Sequence, residues 1–113
     1  DISEALLEIR RLQVVGDAAT QEEGGRLVKA WADNLMCIFP DVASAQRAAR
    51  RIVAAIPSGA GIGYGRILDL GSDLQGADVI AACKLGEDVA GPGEVLLTPA
   101  AQAATSPAEE VFL

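Results

Sequence analysis

The strongest constraint on this chain is one uninterrupted stretch, Leu35 to Pro57, in which a strand, a chain break and a helix follow each other without room for anything else. Leu35-Met36-Cys37-Ile38-Phe39 is continuously apolar, and short runs of this kind suit a strand covered on both faces. Pro40 stops it at once. Asp41 is then placed to cap a helix whose Val42, Ala45, Ala49, Ile52 and Ile56 recur at three- and four-residue steps, while Gln46, Arg47, Arg50 and Arg51 fall on other sides. The helix must end before Pro57, because proline disfavours helical geometry at the residue preceding it. A strand leading directly into an amphipathic helix implies helices packed on a sheet.

The flanking segments extend this pattern. Leu27 to Ala30 precedes the apolar run by only four residues, which predicts a hairpin with Ala32-Asp33 near its turn and Asp33 at an exposed tip. A helix is expected from Glu4 to about Val15, with Leu6, Ile9 and Leu12 or Gln13 near one face; Gly16, Gly24 and Gly25 follow it. Ile62 and Tyr64, Ile67-Leu68 and Val95 to Thr98 read as strand material, and Ala77 to Val89 as a helix ended by Gly91-Pro92-Gly93. The tail after Ala104 is weakly patterned. At 113 residues the chain is expected to be one α/β (α+β) domain, helices on a mainly antiparallel or mixed sheet.

Composition narrows the chemistry. Half the residues are apolar but only 4% are aromatic, so packing must rely on close approach of Ala and Gly backbones rather than on large rings. The formal charge of -7 gives a field that repels polyanions and anionic lipid, so neither nucleic acid nor a membrane surface is an expected partner. No run reaches the ~20 apolar residues of a membrane span, no leader is expected, and a cytoplasmic location fits two small, unpaired cysteines, Cys37 and Cys83. The absence of histidine removes Ser/His/Asp and Cys/His nucleophiles and every His-based metal site. The run Gly59-Ala60-Gly61-Ile62-Gly63-Tyr64-Gly65 satisfies neither G-x-G-x-x-G nor a Walker pattern, and close backbone packing explains it better.

Three segments occur in a telling order: GGRLVKAWADNLMCIFPD, then GIGYGRILDLGSDLQGADVIAACKL, then GPGEVLLTPAAQ. From about Gly24 to Gln102 this order resembles the class III adenylate/guanylate cyclases, whose pattern runs roughly G-G-x-x-V-K-x-x-G-D-x-x-x-x-x-F, G-I-x-x-G, D-x-x-G-x-x-V-N-x-A-x-R-L and G-x-I/V-x-x-(T/S). The resemblance implies a ferredoxin-like βαβ sandwich with active sites formed between two antiparallel protomers. It implies Asp33 and Asp1 as the carboxylates for Mg²⁺ or Mn²⁺, and Lys29 and Asp73 as the pair that reads adenine, the lysine donating to N1 and the aspartate accepting from the exocyclic amine. ATP is then the expected partner, and in-line attack of the ribose 3′-hydroxyl on the α-phosphorus, releasing pyrophosphate, the expected reaction.

The departures are specific. Ile80 stands where the family has its transition-state Asn, and Lys84 where it has Arg, which removes a hydrogen bond to the ribose and a planar fork for phosphate. Ala32 replaces a Gly beside the metal aspartate, and Asp1-Ile2 is followed by Ser3-Glu4 rather than G-F-[ST]. The leading expectation is an adenylate cyclase-like domain of weak or lost activity, working as a homodimer or in a heterodimer whose partner supplies the missing groups. The rival is a non-catalytic dimerisation or nucleotide-sensing module. A diguanylate cyclase is disfavoured, because Gly24-Gly25 continues as Arg26-Leu27 rather than as G-G-[DE]-[DE]-F.

Overall fold

A long helix opens the chain in the computed structural model, which describes residues 1–104. Helix α1 spans Ile2–Glu22, starting where the Asp1 carboxylate accepts a hydrogen bond from the Ser3 amide (2.7 Å) and continuing one and a half turns and more beyond Val15. Gly16 does not end it. A Cβ there would overlap Leu35 Cδ1, so the glycine is the notch through which α1 approaches the following hairpin. The expected inward stripe holds at Leu12, whereas Leu6 is exposed, because residues 1–8 have nothing packed against them among the described residues.

Strand β1 (Arg26–Trp31) and strand β2 (Asn34–Ile38) form the expected antiparallel hairpin around Ala32-Asp33. Helix α2 (Val42–Ala55) follows, with the Asp41 carboxylate accepting from the Ser44 amide at 2.7 Å. That bond holds the Asp41 carboxyl below the ordinary carboxylate range. Strand β3 is Ala60–Ile62, and β4 (Leu68–Asp69) with β5 (Leu74–Gln75) makes a small antiparallel hairpin. Tyr64 lies beyond β3, so the strand is shorter than the glycine-alternating run suggests. Helix α3 (Ala77–Lys84) passes into a π-helical turn at Leu85–Val89, then strand β6 (Val95–Leu97) pairs parallel with β3, and helix α4 (Pro99–Ala103) closes the described chain. Thr98 caps α4 instead of extending β6. The weakly patterned tail lies outside the described residues.

The architecture is mixed α and β, with four α-helices among the described residues. Among the described residues the strands form three two-stranded sheets, β1-β2, β3-β6 and β4-β5, rather than one continuous sheet, and no pairing joins β2 to β3. Val42, Ala45, Ala49, Ile62 and Ala101 form the core cluster, with Phe39, Ala60, Val95 and Leu97 against it. The glycine run does what close packing requires. A Cβ on Gly61 would stand 2.7 Å from the Gly86 amide nitrogen, and one on Gly63 would stand 2.5 Å from the Asp78 carbonyl oxygen, so α3 and the π turn rest directly on backbone. Among the described residues no helix is long and apolar enough to cross a membrane.

Candidate functional site

The site is built on a defect in the β1-β2 ladder. Leu27 pairs with Cys37 but Lys29 pairs with Met36, leaving Val28 as a bulge. Residues directly opposite each other share a face of a sheet, and successive residues alternate. Leu27, Cys37 and Leu35 therefore share the face toward α1, where the Thr20 hydroxyl donates to Cys37 Sγ (3.4 Å) and Leu35 fills the Gly16 notch. Without the bulge, Lys29 would share that face with Leu27. The extra residue turns Lys29 over to the side of Met36 and Trp31, and also to the side of Arg26, three residues earlier.

Two cations on one face meet two carboxylates on one hairpin. Arg26 bonds Asp69 Oδ2 (2.5 Å) and the Gly71 carbonyl (2.8 Å), and Lys29 Nζ lies 3.7 Å from Asp73 Oδ1. Asp73 Oδ1 also accepts from the Leu74 amide at 2.9 Å. Lys29 Nζ stands 4.9 Å above the Trp31 ring, which supports its charge by a cation–π contact. The Asp69 carboxyl is held below its ordinary value, first by the Arg26 hydrogen bond and then by the Gly71 amide. Arg26 and Asp69 carry no sequence signal of their own: the two cations are three residues apart and the two carboxylates four, and only the fold pairs them.

The structure thus brings Lys29 and Asp73 together from distant parts of the chain, in a pair whose side chains remain about two-fifths exposed (41% and 42%). Asp33 sits at the tip of the same hairpin, exposed, its Oδ1 accepting from the Asn34 side-chain Nδ2 at 3.4 Å. Ala32 beside it holds φ at +49°, a conformation that glycine adopts without penalty. Ile80 and Lys84 lie one turn apart on an exposed side of α3, Ile80 being 61% exposed. Cys83, next to Lys84, feels the site: burial, then the negative charges of Glu87 and Asp73, push its thiol pKa up, and Lys29 opposes them. Burial likewise raises the Cys37 thiol, and both cysteines are free.

Asp1 has a different placement. Its carboxylate caps α1, at the opposite end of that helix from the turn into β1. Among the described residues no three His, Cys, Asp or Glu side chains gather closely enough to cage a metal ion. Asp33 by itself fits a more modest role, since Mg²⁺ is commonly held by one or two carboxylates together with substrate phosphates and water.

The chain matches no model of a known protein family and no curated protein.

Proposed function

We propose that this chain is a nucleotidyl cyclase-like domain of ferredoxin-like type, which binds ATP between two protomers and has weak or no cyclase activity. The observation that carries the reading is the meeting of Lys29 with Asp73 on the open face of the hairpin that bears Asp33. A paired ammonium and carboxylate present one donor and one acceptor side by side, the complement of adenine N1 and its exocyclic amine. Asp73 keeps its Leu74 bond while doing so, which fixes its plane. Guanine reverses both edges and would meet a donor against a donor.

Asp33 would hold a Mg²⁺ or Mn²⁺ carried by the triphosphate, and that ion supplies charge neutralisation and a lowered pKa at the ribose 3′-hydroxyl. What the chain's own residues contribute is orientation. Lys84 offers a cation to the phosphates, but as a point charge rather than a fork. Ile80 offers the ribose nothing, and this is the specific feature favouring a non-catalytic, nucleotide-sensing or dimerisation module of the same fold. An isoleucine 61% exposed on a helix is also suited to burial against a partner. A homodimer fits this reading, and so does a heterodimer in which the other chain supplies the amide and the guanidinium, both drawing on the cytoplasmic ATP pool.

The test is direct. Purified protein is incubated with Mg²⁺ or Mn²⁺ and either ATP or GTP, and cyclic product is measured for the parent chain and for Ile80→Asn/Lys84→Arg. The double variant should exceed the parent with ATP, since one preorganised donor changes rates by ~10²–10³-fold. A folded, dimeric double variant without product leaves the non-catalytic module standing, and equal product from GTP removes the adenine-reading role of Lys29 and Asp73.

A further inference from the structure

Two ion pairs tie β1 to the β4-β5 hairpin, and they differ in a way that the elements they join do not explain. Arg26 closes on Asp69 Oδ2 at 2.5 Å, inside hydrogen-bond reach, whereas Lys29 Nζ stops 3.7 Å from Asp73 Oδ1, outside it. Both pairs lie on the same face of the same strand, and their exposures match, 46% and 41% for the first against 41% and 42% for the second. Each aspartate also accepts one backbone amide at 2.9 Å, Asp69 from Gly71 and Asp73 from Leu74. Solvent and carboxylate surroundings are therefore alike, and neither keeps the second pair open.

What differs is the surface beneath the cation. Lys29 Nζ lies 4.9 Å from the centroid of the Trp31 ring, within the ~6 Å over which a ring face attracts a cation, and among the described residues no ring underlies Arg26. Lys29 and Trp31 are two apart in β1, past the bulge, so their side chains leave the same face of the strand. Trp31 pairs with Asn34 as the last rung before the turn, which fixes the backbone that carries the ring. At this exposure a cation–π contact and an ion pair are of similar strength, so the ring can hold the ammonium against the pull of Asp73. The two attractions use the lysine differently. A closed ion pair turns an N–H of the ammonium onto the carboxylate, while a ring face attracts the charge as a whole and commits none of the three N–H groups to an oxygen.

We infer that Trp31 is the positioning residue of the Lys29–Asp73 pair: its ring holds the lysine off the aspartate, so that the pair presents a separate donor and acceptor instead of closing on itself as Arg26 and Asp69 do. The holding is a property of the free protein. Its consequence for a ligand rests on the adenine reading proposed above, in which N1 of the base meets a donor that no carboxylate has claimed and Lys29 has no salt bridge to leave first. Trp31 acts through Lys29 rather than by stacking on the base, because the ammonium already occupies the ring face nearest the pair.

Nuclear magnetic resonance of the nucleotide-free full chain, labelled in its lysine side chains, tests the holding. In the parent the Lys29 ε-methylene protons should be shifted upfield by the indole ring current, and the ammonium should show no scalar coupling to the Asp73 carboxyl carbon. Trp31→Leu should abolish the shift and bring in the coupling as the pair closes. Trp31→Phe, which keeps a ring face, should retain the parent pattern. Calorimetric titration with Mg²⁺-ATP then reads the consequence: Trp31→Leu should weaken binding about two- to five-fold, the equivalent of an exposed cation–π contact, and Trp31→Phe should not. A 1-deaza analogue of ATP, whose base offers no N1 acceptor, should bind the parent and Trp31→Leu alike. A Lys29–Asp73 coupling in the parent, or a Lys29 spectrum that Trp31→Leu leaves unchanged, overturns the inference, and the nucleotide reading survives it if ATP still binds. An equal loss of affinity for ATP and for the 1-deaza analogue also overturns it, making Trp31 a stacking or merely structural residue. If the spectra behave as expected and no form of the chain binds ATP, the holding stands and the adenine reading falls.

Discussion

Asp73→Asn separates the two roles that the Lys29–Asp73 pair can have. At 3.7 Å the attraction between two unit charges is roughly 1 kcal/mol at the dielectric of water. With both side chains about two-fifths exposed, double-mutant experience places the net value at ~0.2–1 kcal/mol. The substitution keeps an oxygen for the Leu74 amide, so little else is lost from the fold. A domain of this size loses roughly 4–8 °C in melting temperature per kcal/mol, and the fall should therefore stay below about 8 °C. Nucleotide binding should respond differently. With its oxygen engaged by Leu74, the asparagine turns an NH₂ toward the base, facing the amine of adenine donor to donor. Losing a charge-assisted hydrogen bond of ~1.5–3 kcal/mol weakens ATP binding by roughly 10–100-fold, while the carbonyl of guanine gains a donor. Calorimetric titration with ATP and GTP beside a thermal melt measures both quantities. A large melting shift with unchanged nucleotide preference would refute the reasoning and leave the pair as a clip holding the β4-β5 hairpin on β1.

Gly61→Ala should destabilise by about 1–3 kcal/mol in urea unfolding, because the added methyl meets backbone at Ala82 and Gly86, which cannot rotate away as a side chain would. Ala32→Gly should stabilise by ~1 kcal/mol by relieving the positive φ, less the added freedom of the unfolded chain, and a melt of the purified variant reads this directly. Asp33→Asn should leave the melt unchanged and abolish the Mg²⁺ dependence of ATP binding, read by titration with and without the metal. The Asp69 carboxyl has a folded pKa below its unfolded value, so its contribution is present above about pH 4 and is lost as the pH falls through the folded pKa. Denaturation between pH 5 and about pH 2 should accordingly be less steep for Asp69→Asn than for the parent.

What the sequence disclosed were the features governed by neighbours along the chain. Asp41, Pro40 and Pro57 bracket α2 almost to the residue, since capping and proline sterics act over a few positions. The hairpin and its exposed Asp33 followed from a four-residue separation. α1 was harder to bound, because a glycine within a helix looks like a stop until Leu35 is known to occupy its missing side chain. The sheet was least legible. Among the described residues three short pairings replace one sheet, and which strand edges meet is settled by tertiary packing that no periodicity within a single strand records.

The Lys29–Asp73 pair shows how far pattern carries. Matching segments in order named both residues, yet their meeting depends on Val28. In a regular ladder Arg26 and Lys29, three apart, would face opposite sides, and only one of them could reach the β4-β5 hairpin. One unpaired residue turns both to the same face, where Asp69 and Asp73, four apart on a hairpin of their own, receive them. The bulge is invisible in Arg-Leu-Val-Lys as a sequence, because nothing about valine marks it. On the opposite face of the hairpin the Thr20 hydroxyl donates to Cys37 Sγ and Leu35 seats on Gly16, which anchors β2 to α1. The bulge therefore sets the aim of the site's lysine, on the side of the hairpin away from the Leu27, Leu35 and Cys37 face that meets α1.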